Sequence, residues 1–313
     1  MSRKLLYLVN PISGTRRKSR LRELITQKTE AAGIPFEIAD TRRDCDYSDL
    51  PRKIAEDGIS DVIVCGGDGS VSTVVAHLLD TDIAIGVIPM GSGNGLALAA
   101  GIPKNIPRAL DIIFRGQSDR VDGLMINGVF SCMMCGLGAD ARIAHSFALQ
   151  KKRGLQTYIR LSLQHYFRLS SYPFTIRIGE REISTDAFFL VIANSNQFGN
   201  HVTIAPKASL KDGLIDFVIV RKMNRAALPF ALAKQIAGVN PPQPVKECAA
   251  DRSILYLQAP AATIINRQEA PLHIDGEPRA SAPVIEIRVL PGAFRLLQPG
   301  LRQQPPAAAA GTD

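Results

Sequence analysis

The sequence contains no Trp, and only 6% of its residues are aromatic. It also carries no recognisable nucleic-acid-binding motif, so these absences disfavour a nucleic-acid partner. The formal net charge is nevertheless +8, and a positive balance favours anionic partners. The composition therefore favours phosphates or an acidic membrane surface as the partner.

An export signal and a long uninterrupted apolar run are also missing. Residues 1–3 lead directly into a short strand-like run. The longest uncharged run, residues 83–103, holds five glycines and two prolines, which indicates a strand, a loop and a helix start rather than a membrane span. The five cysteines are an odd number. We therefore expect a cytoplasmic protein with reduced thiols.

Cys132 and Cys135 have the spacing of a redox or metal-ligand pair. The sequence has no second pair of this kind, and the two residues lie in an apolar run. We therefore expect a buried strand there rather than a metal site.

Strands and helices alternate in the first part of the chain. Apolar runs at 5–10, 36–40, 62–67 and 83–89 predict four strands, and helical patterns follow at 19–32, at 70–79 and after Asn105. Nearly continuous apolar strands in this order predict an α/β domain, a parallel sheet covered on both faces, over residues 1–122.

The pattern changes after Asp122 and becomes rich in strands. Asn127-Gly128 between two apolar runs predicts a hairpin. We expect one long helix at about 152–170 and another at 224–237, capped by Asn224 and ended by Gly238, among many strands. These features predict a β-sandwich over residues 123–285, and the low-complexity residues 299–313 predict a disordered tail.

Three of the predicted strands end in loops of glycine and small polar residues. These loops are Asn10–Gly14, Gly66–Ser70 and Pro89–Asn94. In an open parallel sheet the carboxyl ends of the strands share one edge, where backbone N–H groups can bind phosphate. We therefore predict a nucleotide site at this edge. It has neither the P-loop nor the dinucleotide-binding pattern.

Asp68 lies in the middle of the second loop, where its carboxylate would repel a phosphate. The position makes sense if Asp68 faces Mg²⁺ or the hydroxyl that attacks the phosphate. The alternative is a tight turn in which Asp68 caps the following helix, and the loop alone does not separate the two.

Taken together, the motifs resemble those of the diacylglycerol kinase catalytic-domain family, in its bacterial soluble form, and of the related sphingosine and ceramide kinases. They occur in the family's order up to about residue 297: NPISG (10–14), GGDGS (66–70), PMGSGN (89–94), GLGADARIA (136–144), APKASLKDGLIDFVIV (205–220) and HIDGEP (273–278). The resemblance implies a phosphofructokinase/NAD-kinase-like nucleotide domain, a β-sandwich lipid domain, and last strands, about 286–298, that return to the first domain.

The resemblance also implies an ATP-dependent and Mg²⁺-requiring lipid kinase of phospholipid biosynthesis. By matching positions, the nucleotide contacts fall on Asn10, Pro11, Ile12, Ser13, Gly14, Thr41, Gly66, Gly67, Asp68, Gly69, Ser70, Val71, Ser72, Ser92 and Asn94. A structural Mg²⁺ would bind Asp212 together with main-chain oxygens of Ser209 and Leu214.

Asp275 and Glu277 form a second acidic cluster. If this segment is extended, residues two apart point to the same face, and both carboxylates reach one point in the cleft. The alternative is a β-turn at Asp275-Gly276. Phosphoryl transfer to an alcohol needs a proton acceptor and acids that hold magnesium, and Asp68, Asp275 and Glu277 are the candidates. Glu277 or Asp275 is the first choice for the base, and Asp68 is the alternative.

Basic residues cluster at 16–22 and at 151–153, which suits docking on an anionic bilayer as well as a solvated helix face. We thus expect a cytoplasmic, peripherally membrane-associated lipid kinase whose lipid is not identified, with a homodimer as a further possibility. The rival hypotheses are a soluble-substrate kinase such as an NAD kinase, and a nucleotide- and lipid-binding sensor without turnover.

Overall fold

The computed structural model describes residues 3–11, 18–150, 155–197, 203–245 and 252–300. The helices in these ranges are α1 Lys18–Ala31, α2 Leu50–Asp57, α3 Asp68–Ala76, α4 Gly95–Ala99, α5 Ile106–Arg115, α6 Ala139–Ala148, α7 Leu155–Tyr166 and α8 Leu228–Ile236. A 3₁₀ turn, Arg225–Ala227, precedes α8. The strands are β1 Leu5–Val9, β2 Phe36–Asp40, β3 Asp61–Gly66, β4 Ala84–Pro89, β5 Ser118–Ile126, β6 Val129–Ser131, β7 Met134–Gly138, β8 Tyr172–Ile178, β9 Arg181–Ala193, β10 Ile215–Arg221, β11 Ile254–Ala259, β12 Ala261–Ile265, β13 Leu272–Ile274, β14 Glu277–Arg279 and β15 Val284–Leu297.

The predicted parallel sheet is present, with the strand order β2-β1-β3-β4. Strands β1, β3 and β4 are buried along their whole length. Alternate residues of each strand enter two different hydrophobic clusters, as Val62 and Ile63 of β3 do, because successive side chains point to opposite faces. Helices cover both faces, which explains why the strands read as continuous apolar runs.

Antiparallel strands dominate the rest of the chain and enclose a third hydrophobic cluster. The Asn127-Gly128 hairpin is confirmed, since it joins β5 to β6 with both residues at positive φ. The long strand β15 pairs antiparallel with β12 and β5, and its end pairs parallel with β4. One continuous hydrogen-bonded sheet therefore runs from the parallel strands into the antiparallel ones.

Several elements differ from the expected ones. Helices α2 and α6 were not expected. Helix α2 buries only Leu50 and Ile54, which leaves a weak periodic signal, and α6 follows Gly138 at positive φ. The helix after Asn224 begins as a 3₁₀ turn, with the Asn224 side chain accepting from Ala226 N at 2.9 Å. Residues 151–154, and 301–313 of the expected disordered tail, lie outside the described residues. No helix in the described ranges combines the length and apolarity needed to cross a bilayer.

Candidate active site

The three glycine-containing loops begin side by side at the carboxyl edge of the parallel sheet. Val9 of β1 is paired with Cys65 of β3, and Gly66 is paired with Pro89 of β4. The ladder continues beyond the strands, because Asn10 N donates to the carbonyl of Cys65 at 3.0 Å and Met90 N donates to that of Gly66 at 2.9 Å. The loops after β1, β3 and β4 are therefore neighbours.

The loops after β3 and β4 touch through their backbones. A Cβ atom added to Gly91 would lie 2.6 Å from the Cα of Gly67, and one added to Gly67 would lie 3.1 Å from the Cα of Gly91. A side chain at Gly91 would therefore force the two backbones apart. Glycine is needed here for close approach rather than for an unusual φ angle.

The loop after β1 is tied to the same edge. The Asn10 side-chain amide donates to Ser70 Oγ at 2.9 Å, and Thr41 N donates to the carbonyl of Val9 at 2.9 Å. Asn10, Thr41 and Ser70 therefore border one edge. Ile12, Ser13 and Gly14 lie outside the described residues.

Asp68 begins α3, but its carboxylate binds the following loop. Its two oxygens accept hydrogen bonds from Gly95 N at 2.9 Å and Leu96 N at 3.0 Å, the first backbone N–H groups of α4. Burial raises the pKa of Asp68, and these two bonds oppose the rise. Asp68 thus caps α4 rather than the helix that it begins, which holds the loop after β4 in place.

The loop after β4 is also closed from within. Asn94 is buried in the left-handed conformation, and its side chain both accepts from Gly91 N and donates to Gly91 O at 2.7 Å. The Asn94 amide therefore shapes the loop that carries Ser92, which is partly exposed.

Of the two conformations considered for residues 275–277, the structure has the turn at Asp275-Gly276 and not the extended segment. Asp275 has φ +49° and Gly276 has φ +78°, and the two residues form the turn between β13 and β14, where Ile274 pairs with Glu277. This is the two-residue hairpin turn that Asp-Gly favours. The turn separates the two carboxylates but leaves both beside α3.

Asp275 is held by donors from two directions. Its carboxylate accepts from the hydroxyl of Ser72, from the hydroxyl of Ser131 at 2.7 Å and from Met134 N at 3.1 Å. Burial raises the pKa of Asp275, and the bonds from Ser72 and Ser131 oppose the rise. Ser72 therefore uses its hydroxyl to bind Asp275, while its neighbour Val71 lies in the hydrophobic core.

Glu277 is exposed and lies over the first turn of α3. Its Cγ is 3.5 Å from the point where a Cβ of Gly69 would stand. Asp275 lies close enough to Asp68 for its negative charge to contribute to the raised pKa of Asp68. Asp68, Asp275 and Glu277 therefore converge on the loop after β3.

A buried histidine that sequence reasoning missed supports the turn. His273 Nδ1 accepts from Gly276 N at 3.2 Å, so Nε2 carries the hydrogen and donates to Asp140 at 2.8 Å. Burial raises the pKa of Tyr158, whose phenol also bonds to Asp140. Gly136 passes beside this pair, where a Cβ would collide with both Asp140 and His273. No local spacing signals these contacts, because the partners are distant in sequence.

The expected metal ligands lie on a different loop, 209–214. Asp212 Oδ1 accepts from Leu214 N at 3.1 Å, and burial together with the charge of Asp122 raises the pKa of Asp212. A pair of neighbouring carboxylates with main-chain oxygens nearby is a donor set that suits Mg²⁺. Asp122, which the sequence did not indicate, holds this loop by accepting from Gly213 N at 2.8 Å.

The structure places the two cysteines of the pair in different local structures. Cys132 lies in the bend between β6 and β7 rather than in a strand, and Cys135 is in β7. Both are buried, and the described residues contain no cluster of three or more His, Cys, Asp and Glu side chains that could hold a metal ion. Of the basic residues at 16–22, Arg22 pairs with Asp40 at 2.7 Å, while 16–17 and 151–153 lie outside the described residues.

Glycine loops lie on one edge of a parallel sheet, and carboxylates from a β-rich part of the chain pack against them. Residues 4–126 match the diacylglycerol kinase catalytic domain, and residues 133–298 match the YegS C-terminal NAD kinase beta sandwich-like domain. The chain therefore belongs to this family of lipid kinases, as the motifs predicted, and the β-sandwich prediction is confirmed.

Curated relatives have matching names. The chain is 27% identical over 282 residues to a probable lipid kinase YegS-like of Xanthomonas euvesicatoria, which covers 86% of this chain and 88% of that protein. It is 26% identical over 280 residues to the diacylglycerol kinase of Bacillus subtilis, covering 86% and 88%. The crystal structure of a putative diacylglycerol kinase from Bacillus anthracis has the same fold, with a TM-score of 0.76, 22% identity and 95% of each chain covered.

Proposed function

We propose that the protein transfers the γ-phosphate of ATP to the hydroxyl group of a lipid, with Mg²⁺ as the metal. The observation that supports this most directly is the position of Asp275 and Glu277, which come from the β-rich part and lie against the glycine loop of the parallel sheet. A phosphate donor bound by backbone N–H groups at this edge would meet these acids at its outer end.

Glu277 is the group that we propose as the proton acceptor for the attacking hydroxyl. Both oxygens of Asp68 accept backbone N–H groups, and Asp275 accepts three donors, so these two acids position loops and α3. Glu277 is exposed and available to a substrate. A base must lie within hydrogen-bond reach of the proton that it removes, and an accessible carboxylate beside the phosphate loop can meet that condition.

Asp212, with main-chain oxygens of Ser209 and Leu214, is the proposed structural Mg²⁺ site, and Asp122 orients its loop. A bound cation would offset the repulsion between Asp122 and Asp212.

A thermal-unfolding series tests the proposed Mg²⁺ site. Mg²⁺ should raise the Tm of the wild type and should raise that of Asp212→Asn by much less, while an equal response of both would contradict the site.

The reaction is tested with γ-labelled ATP and a panel of acceptors, with and without Mg²⁺. The panel contains diacylglycerol, monoacylglycerol, phosphatidylglycerol, sphingosine, ceramide and, for the soluble-substrate alternative, NAD. Label in at least one lipid that depends on Mg²⁺ supports the proposal. Label in NAD alone would replace it with the soluble-substrate kinase, and ATP binding without transfer would replace it with a sensor.

A further inference from the structure

Helix α7 exposes a line of large apolar side chains. Ile159, Leu163 and Phe167 are 49%, 59% and 72% exposed, and their four-residue spacing places them on one face. The opposite face packs inward through Tyr158 and through Leu161, which is buried. We name Ile159, Leu163 and Phe167 the docking face. An exposed apolar strip of this kind marks a surface that contacts a partner or a membrane.

The sequence segment that contains the docking face carries charged residues of one sign. Residues 141–179 contain no Asp or Glu, whereas their Lys and Arg residues number seven, at positions 142, 151, 152, 153, 160, 168 and 177. Arg160 and Arg168 are exposed next to the docking face. Arg160 donates to the neutral Gln150 at 3.1 Å, and neither arginine pairs with a carboxylate in the part of the chain that the structure describes. These charges suit an anionic surface.

A second helix continues the apolar surface. Arg225, just before α8, donates to the carbonyls of Phe167 and Leu169 at 3.2 and 3.1 Å and so ties the end of α7 to the start of α8. Helix α8 carries Phe230, which is 73% exposed. The exposed apolar surface therefore spans two joined helices.

Helix α7 is connected to the candidate active site through α6. Phe147 of α6 meets Tyr158 of α7 edge to face at 5.9 Å, and Ser146 is hydrogen-bonded to His165 at 2.8 Å. The first turn of α6 contains Asp140. Asp140 is the hydrogen-bond partner of His273, which supports the turn that carries Asp275. Helix α6 thus lies between helix α7 and the turn at Asp275-Gly276.

We infer that α7 docks onto an anionic bilayer, with the docking face in the apolar boundary and the flanking arginines at the headgroups. An amphipathic helix with a basic border lies in the interface in this way. The inference rests on the proposed lipid substrate, which must be reached in a membrane, and it assigns the surface that meets that membrane.

Vesicle sedimentation with the full chain tests the docking. The vesicles contain phosphatidylcholine alone, or phosphatidylcholine with phosphatidylglycerol. The wild type should bind the anionic vesicles, and Leu163→Ser/Phe167→Ser should bind at least about tenfold more weakly, since removing either large apolar side chain from a buried position costs that much. Arg160→Gln/Arg168→Gln should bind the anionic vesicles more weakly than the wild type, and its binding should depend less on salt concentration. The matched control is Val284→Ser, which alters an exposed apolar residue, 43% accessible, at the start of β15.

A kinase assay separates docking from catalysis. The Leu163→Ser/Phe167→Ser variant should lose activity on a lipid embedded in anionic vesicles but keep that on a short-chain, water-soluble analogue of the same lipid. Equal binding of wild type and variant to vesicles, or a wild type that binds no vesicles, would overturn the inference. Vesicle binding is measured without turnover, so absence of lipid phosphorylation would refute the proposed function alone.

The main competing occupant is a second copy of this chain. Analytical ultracentrifugation of the wild type and of Leu163→Ser/Phe167→Ser distinguishes the two. A wild-type dimer that the substitutions convert to a monomer, together with unchanged vesicle binding, would assign the docking face to self-association and overturn the membrane assignment. If the wild type and the variant sediment alike and the variant no longer binds vesicles, the membrane assignment is supported.

Discussion

At the scale of single residues, the three acids around α3 differ in how the protein holds them. Asp68 binds the N-terminus of α4, and Asp275 binds Ser72, Ser131 and a backbone N–H. Burial raises the pKa of both carboxyls. Glu277 is exposed beside Gly69. The acids that maintain the site are therefore distinct from the one that a substrate can reach.

Glu277→Gln should lower kcat by at least about 100-fold, because the amide keeps the shape of the side chain but cannot accept a proton. The affinity for ATP, measured by titration calorimetry, should remain the same. Glu286→Gln, at an exposed position of β15, is the matched control and should retain full activity. Near-wild-type kcat in Glu277→Gln would remove Glu277 as the base.

Asp68→Asn should lower both kcat and Tm, since it disturbs the cap of α4.

His273 is a positioning residue in this arrangement. Its ring accepts from Gly276 N and donates to Asp140, so His273→Leu removes both bonds that support the turn at Asp275-Gly276. We expect kcat to fall about 10- to 100-fold while KM for ATP is unchanged, because small displacements of a reacting group carry such costs. His273→Gln offers a donor and an acceptor and should restore part of kcat. A lower Tm with normal kcat in His273→Leu would indicate a purely structural role.

At the scale of elements, the site depends on contact between two strand-to-helix loops. Gly91→Ala places a methyl group 2.6 Å from the Cα of Gly67, a backbone atom, and 3.0 Å from Asn94 Oδ1. The free energy of unfolding should fall by about 1–3 kcal/mol, with weaker ATP binding, because an overpacked contact shifts backbone. Gly69→Ala meets only the flexible Glu277 side chain at 3.5 Å and should cost less. Equal unfolding free energies for the two variants would contradict the close-contact interpretation.

A buried acid of β10, Asp216, makes the stability of the protein depend on pH. Burial raises the pKa of Asp216 to about 6, while bonds from Tyr256 and Gln258 oppose the rise. Between about pH 4 and 6 the folded protein holds this proton more tightly than the unfolded chain, so the free energy of unfolding decreases as pH rises, by about 3 kcal/mol in total. Urea unfolding across this range should show the decrease in the wild type, and Asp216→Asn should lack most of it. The same slope in both proteins would contradict the assignment.

At the scale of the whole molecule, Asp122 joins segments that are distant in sequence. Its carboxylate accepts from Gly213 N and Gly292 N, both at 2.8 Å, and Asp122 is buried within β5. In Asp122→Asn the side-chain amide N–H faces one of these two backbone donors, which is left without an acceptor. The loss should reduce the free energy of unfolding by about 1–3 kcal/mol. Asp119→Asn breaks only an exposed pair with Lys211 and should change it by about 0.5 kcal/mol or less. Equal losses in the two variants would contradict the junction role.

The sequence by itself determined the parallel sheet, the Asn127-Gly128 hairpin and the family. Buried strands on both faces require continuous apolar runs, and glycine loops at strand ends can be recognised from neighbouring residues alone. These signals are local, so periodicity and turn chemistry reveal them.

Only the tertiary structure decided how the acids are used. The turn at Asp275-Gly276, the cap from Asp68 to α4 and the bond between His273 and Asp140 each depend on which segments meet in space. A carboxylate has the same letter in the sequence whether it caps a helix, supports a turn or faces a substrate. Its partners and its burial decide between these roles, and partners separated by as many as 203 positions leave no local pattern.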